Sequence, residues 1–207
     1  ATSSFGTDLN RKTTISLAGD YAVIADGVTQ PIAYDGLALT STTLVSPSTG
    51  SNWPIFTDAT YHLNRLFYSG VSTAPSLVGY TAANNIFDST GTDSGSFTVN
   101  AGDGDQVMGV SQPFYGSLYI FKGPQKGSVF QLSGATPSNF AIAQVGYGAP
   151  LLNPKGLVTT PTDVYWLSQF GVHSLETTVK FGNVEQAFLS LPLQKLWRDR
   201  ILKRGAL

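Results

Sequence analysis

The chain has 207 residues, a formal net charge of −1, 42% hydrophobic residues, only 12% charged residues and no cysteine. Its length allows one domain with a substantial core, and its near-zero charge gives no global reason to expect nucleic acid or an anionic membrane as a partner. The absence of cysteine excludes disulfides, thiolate metal sites and cysteine nucleophiles.

In chain order, four segments share one pattern: a short apolar strand rich in aromatics, a turn with Gly or Ser, then a second strand. The first runs from Tyr21 to Gly27 and on through Pro31 to Gly36. The second is Arg65 to Gly70 with Ser76 to Tyr80. Asn84 to Gly95 follows, a Ser/Thr/Gly/Asn stretch that reads as an exposed loop between units. Gly102-Asp103-Gly104-Asp105 comes next, a turn ahead of a strand at Gln106–Val110. The third unit is Ser117 to Gly123 with Gly127 to Leu132, and the fourth is Val164 to Gly171 with Val172 to Leu175.

Aligned on their central strands, the units place Val23, Phe67, Ile120 and Trp166 in equivalent positions, spaced by 44, 53 and 46 residues. A repeat of about 40 to 50 residues, each a small antiparallel meander, is the signature of β-propeller blades. One blade cannot cover both of its faces, and stacking blades around an axis does so. The expected fold is therefore all-β: about four propeller-like blades over residues 1–189, then a short C-terminal helix. In that helix Ser190 is the cap, Pro192 lies in the first turn, and Leu193, Leu196, Trp197 and Ile201 form the apolar stripe. Lys and Arg crowd its end, where they complement the helix dipole, and residues 190–207 form this basic helix and tail.

Candidate chemistry is sparse. His62 and His173 lie beside blade strands, and no Gly-x-Ser-x-Gly turn supplies a nucleophile for either. A hydrogen-bonded structural role is the better reading of His173. Eleven of the 13 acids are Asp, and turn contexts such as Asp26-Gly, Asp35-Gly, Asp93-Ser-Gly and Asp103-Gly, where the side chain caps a turn, account for much of them. Asp103 and Asp105 are candidate cation ligands, since oxygen-rich loops bind calcium. They lack the further oxygens and the closing bidentate Glu of an EF-hand loop, so a tight turn competes with that reading. Gly123-Pro-Gln-Lys-Gly127 joins two strands and opens no helix, which rules against a phosphate loop. No cofactor is expected. Lys195, Arg198, Arg200, Lys203 and Arg204 form a local basic cluster, either a solvated helix end or a surface for an acidic partner or nearby DNA.

Tyr21 to Gly36, with its strand, Asp-Gly, Pro and Tyr-Asp-Gly, resembles blades of the tail nozzle or packaged-DNA stabilisation proteins of short-tailed bacteriophages. Asn64 to Tyr68, Gly104 to Val110 ahead of Leu118 to Lys122, Ala143 to Gly146, Val164 to Leu175 and Leu189 to Trp197 resemble the same family. The resemblance covers most of the chain and rests on short motifs. It implies a β-propeller protein of the virion tail, assembled as a ring, usually a hexamer, below the portal and adaptor. Such a ring extends the tail channel and retains the genome until ejection. The partners it implies are copies of the same chain, adaptor or portal-proximal proteins and, without sequence reading, packaged DNA; no membrane and no catalytic residue is implied. Family members are considerably longer, so this chain, which begins without Met in polar sequence, is expected to be a segment of one. The competing expectation is a carbohydrate- or receptor-binding β module, with Trp53, Tyr61 and Tyr80 as exposed stacking platforms. A propeller glycosidase is a third, and needs two carboxylates facing one cleft.

Overall fold

In the computed structural model, the described residues are 13–36, 42–43, 53–176 and 195. They form an all-β structure of four antiparallel sheets, each a meander of strands consecutive in sequence. The first sheet holds β1 (Thr14–Ala18), β2 (Tyr21–Ala25), β3 (Ile32–Tyr34) and β4 (Thr42–Thr43). The second holds β5 (Asp58–His62), β6 (Arg65–Val71), β7 (Ala74–Tyr80) and β8 (Gly95–Thr98). The third holds β9 (Gln106–Val110), β10 (Leu118–Gly123), β11 (Val129–Ser133) and β12 (Ala141–Gly146). The fourth holds β13 (Leu157–Thr159), β14 (Val164–Ser168) and β15 (Gly171–Ser174). The expected C-terminal helix lies outside the described residues, apart from Lys195.

Local chemistry sets the turns. β5 and β6 are joined by Leu63 and Asn64, both at positive φ (52° and 57°). Such a two-residue turn carries the twist of a tight hairpin. Gly79 sits directly across from Tyr68, and a Cβ there would come within 2.1 Å of the phenol ring. Its missing side chain lets Tyr68 lie over β7 and stack on Phe56 at 5.2 Å.

Alternation along the strands decides the packing. On β6, Leu66 and Tyr68 join Ala18, Val23, Ala25 and Ala33 of the first sheet in one buried cluster. Phe67, between them, joins Leu118, Ile120, Phe130 and Leu132 of the third sheet. On β10, Tyr119 and Phe121 turn the other way, toward Val164, Trp166 and Leu175 beside the fourth sheet. Successive side chains on a strand point to opposite faces, so a strand that is apolar at every position is covered on both. The four sheets thus stack face to face in chain order, one apolar layer between each neighbouring pair.

The four residues aligned by the repeat all lie on the second strand of their sheets and are all buried. They do not share a face. Val23 and Phe67 point to the following sheet, whereas Ile120 and Trp166 point to the preceding one. The sequence alignment finds the right strands and slips by one residue between the second unit and the third, which inverts the face. Residues 84–95 also differ from expectation. They connect β7 to β8 inside the second sheet rather than joining units, and Ile86 is buried in the first core layer.

Candidate functional site

The first strand of each sheet contributes to one shared feature. β1, β5, β9 and β13 come together around a cleft of about 360 Å³, with Thr14, Ser16, Asp58, Thr60, Val110, Gln112, Lys155, Val158 and Thr159 among its lining residues. Edge strands such as these have backbone groups unpaired on one side, and here side chains of neighbouring sheets satisfy part of that demand. The Thr14 hydroxyl donates to the Thr57 carbonyl at 2.6 Å, and the Ser16 hydroxyl donates to the Ala59 carbonyl. Asp58 Oδ2 accepts the Val110 amide at 2.9 Å. Polar bonds at the cleft thus clamp β1 to β5 and β5 to β9.

Among the described residues, Asp58 is the one acid in the lining and Lys155 the one cation. Burial pushes the Asp58 carboxyl up to about 6, against the lowering effect of the Val110 and Ala59 amides. The group therefore changes charge in mildly acidic solution. A single carboxylate does not make the acid–base pair that glycoside hydrolysis needs.

The two Asp residues read as candidate cation ligands serve other partners. Both oxygens of Asp103 accept from Lys122 Nζ, at 2.7 and 2.8 Å. Lys122 is fully buried, and its ammonium also donates to the Val99 and Asn100 carbonyls at 2.9 and 2.8 Å. Desolvation raises the Asp103 carboxyl, but the hydrogen bonds from Lys122 and the Asp105 amide outweigh it and hold the group below its ordinary value. Asp105 is buried and receives the amides of Gln125, Lys126 and Gly127 at 2.7, 2.8 and 2.8 Å, closing the turn that precedes β11. Among the described residues, no group of three or more His, Cys, Asp or Glu is placed to hold a metal.

His173 is fully buried, with Nε2 at 2.7 Å from the Ser168 hydroxyl and its ring stacked on Trp166 at 5.3 Å. Desolvation drives its pKa down to about 4. The nearby carboxylate of Asp163 is taken by the Ser174 hydroxyl and by the Val164 and Glu176 amides. His62 ends a first strand and His173 lies on a third, so the two are not equivalent. Burial lowers the His62 pKa, opposed by the Gly116 backbone.

Of the basic cluster, Lys195 is exposed, and Arg198, Arg200, Lys203 and Arg204 lie outside the described residues. Trp53 corrects the expectation of an exposed platform. It is 2% exposed and packs against Phe56 and Tyr68 at 6.2 and 5.0 Å. Tyr61 packs against the same core layer, and Tyr80 lies under the Arg65 guanidinium at 5.9 Å. The ring most open to solvent among the described residues is Tyr115, at 83% exposure. Sequence reasoning missed Asp58, although an Asp that opens an alternating run, instead of preceding Gly or Ser, is a signal that could have found it.

No protein-family model matches the chain, and no curated protein matches it. Among the described residues, no helix is long and apolar enough to cross a membrane.

Proposed function

We propose that the four sheets are consecutive blades of a β-propeller and that the chain is a structural component of a phage virion tail, a nozzle or hub acting through subunit contacts. The observation that carries the blade reading is the shared cleft. Four meanders stacked in chain order all turn their first strands to it, the arrangement of inner strands around a propeller axis. The virion role rests on the resemblance of the blade sequences to tail nozzle proteins. It is supported by side chains that act as fasteners, with Arg65, Lys122, Asp105 and Asp163 all joined to loops or turns. Walls fastened in this way suit a channel that holds packaged DNA under load.

In this reading the protein forms a ring of its own copies, a hexamer in the related assemblies, beneath an adaptor or portal-proximal protein. The basic residues Lys195, Arg198, Arg200, Lys203 and Arg204 then face DNA or an acidic neighbour, binding by charge alone. Electron microscopy of the full-length protein, or of the particle it belongs to, tests this. A ring with a central channel attached beneath a portal is expected. Isolated monomers or trimers without a channel overturn it and move attention to receptor binding, for which a glycan screen is the direct assay.

A further inference from the structure

A second pocket lies away from the cleft, where two sheets and a loop meet. The β1–β2 turn brings Asp20 and Tyr21 to it, β5 brings Tyr61, and the β7–β8 connection brings Asn84, Asn85 and Phe87. It measures about 380 Å³, within the range of about 300–1,000 Å³ usual for small-molecule sites. Gly19 turns at φ +60°, and the Tyr61 hydroxyl lies 3.8 Å from where a Cβ at Gly19 would stand. Asn84 is also left-handed, at φ 59°, with its backbone amide donating to the Asn64 carbonyl at 2.8 Å. Asparagine is one of the few residues with a side chain that accepts this conformation. The turn is therefore made without giving up a polar group at the pocket.

The lining combines rings with hydrogen-bonding groups. Tyr21, Tyr61 and Phe87 are partly buried, each packed against the first core layer. Tyr21 and Phe87 meet edge to face at 5.1 Å and 88°, so one of the two rings keeps both faces clear of the other. Asn85 Oδ1 accepts the Phe87 amide at 3.1 Å, which holds the side chain and leaves its NH2 group to donate. Among the described residues, nothing hydrogen-bonds the Asp20 carboxylate, the Asn84 side-chain amide or the Tyr21 and Tyr61 hydroxyls. No Lys, Arg or His lines the pocket among the described residues. Of Trp53, Tyr61 and Tyr80, the rings the sequence offers as stacking platforms, only Tyr61 borders it.

We propose that this pocket binds a neutral saccharide. A pyranose has a C–H face that packs on an aromatic ring and adjacent hydroxyls that exchange hydrogen bonds with amides and carboxylates. The lining supplies both chemistries. Without a cation it offers nothing to phosphate, sulfate or nucleic acid. An ammonium ligand calls for ring faces closed around its charge, whereas here two rings meet edge to face and amides share the wall. The inference uses neither the cleft nor ring assembly, and holds or fails independently of the virion reading.

NMR titration of the isotope-labelled 207-residue chain tests it, with methyl glycosides of glucose, galactose, mannose and N-acetylglucosamine as probes. Choline and inorganic phosphate are the contrasts. At least one glycoside is expected to shift the Tyr61 and Asn84 amide resonances with a Kd of about 1 mM, as suits a ligand of that size. Tyr61→Leu keeps apolar contact with the core, and Asn84→Gly keeps the left-handed turn. Each is expected to weaken binding roughly tenfold, the loss of one stacked ring or one hydrogen-bonding group. Tyr115→Ala, which removes the most exposed ring outside the pocket, is expected to leave binding unchanged. No response to any glycoside up to about 50 mM overturns the proposal. So does tighter binding of choline or phosphate, or glycoside binding that survives both pocket variants. Should Tyr61→Leu lose its β structure by circular dichroism, Asp20→Ala, on an exposed turn, carries the same test.

Discussion

Asp58 of β5 holds the Val110 amide of β9 at 2.9 Å, so one carboxylate oxygen fastens the second sheet to the third beside the cleft. The bond explains why an acidic side chain persists in a strand. Asp58→Asn keeps an oxygen acceptor for the amide, and Asp58→Ala does not. An amide left without a partner costs about 1–2 kcal/mol beyond the loss of the bond itself. Urea unfolding at neutral pH is expected to rank the alanine variant below the asparagine variant by that amount. Equal midpoints for the two would remove the bond from the account.

The buried His173 and the half-buried Asp58 respond to pH in opposite directions. The His173 pKa falls to about 4 from 6.5, so its neutral form belongs to the fold and the unfolded chain binds the extra proton between those values. Its contribution to stability is present above pH 6.5 and is lost as pH falls toward 4. The Asp58 pKa rises to about 6 from 3.8, so the folded chain binds the extra proton there, and its contribution grows as pH falls. Over about pH 4 to 6 the two slopes oppose one another. Relative to the unmodified protein, Asp58→Asn is expected to lose stability with falling pH, by at most about 1.4 kcal/mol per pH unit. His173→Gln is expected to show the opposite slope. Stability–pH curves of both variants that run parallel to the parent would refute the pairing.

Lys122 is a buried ammonium with four hydrogen-bond contacts, two of them to Asp103. Lys122→Met leaves Asp103 and two carbonyls without their donor, and removing one partner of a buried pair costs about 3–5 kcal/mol. Asp103→Asn retains an acceptor in a side chain that is already partly exposed, so a smaller loss is expected, about 1–3 kcal/mol. Denaturant titration of the two variants checks the order; a neutral Lys122→Met would show that the network adds nothing.

The parts of the fold that sequence makes legible are those fixed by local pattern. Leu118-Tyr-Ile-Phe121 is apolar at every position and lies between two sheets as that pattern requires. The first strands are not legible in the same way. Thr14–Ala18, Asp58–His62 and Leu157–Thr159 are short and mixed in polarity, and their environment is set by neighbouring sheets rather than by their own alternation. The one-residue slip that inverts Ile120 and Trp166 relative to Val23 and Phe67 has the same origin, since a period of two is blind to which face is which. Asp103 and Asp105 look alike in sequence. Their roles separate only because Lys122 and the Gln125–Gly127 amides arrive from about 20 residues away.

Asp105 gives the sharpest discrimination between a turn and a cation site. Its two oxygens already receive three amides, and both Asp103 oxygens receive Lys122. Calcium would have to displace an ammonium and several amides to reach the usual six to eight oxygen ligands. Excess calcium or a chelator is therefore expected to leave the thermal midpoint unchanged. The turn is also tight around Gly127, at φ +65°, where a Cβ would fall 2.0 Å from the Pro150 nitrogen. Asp105→Ala strands amides in that packed corner and is expected to cost about 2–3 kcal/mol. Asp105→Asn, which keeps one acceptor oxygen, should cost roughly half as much. Differential scanning calorimetry of both variants, with and without calcium, reads all of this in one series. A midpoint that rises with calcium in the parent and not in Asp105→Asn would make the turn a cation site after all.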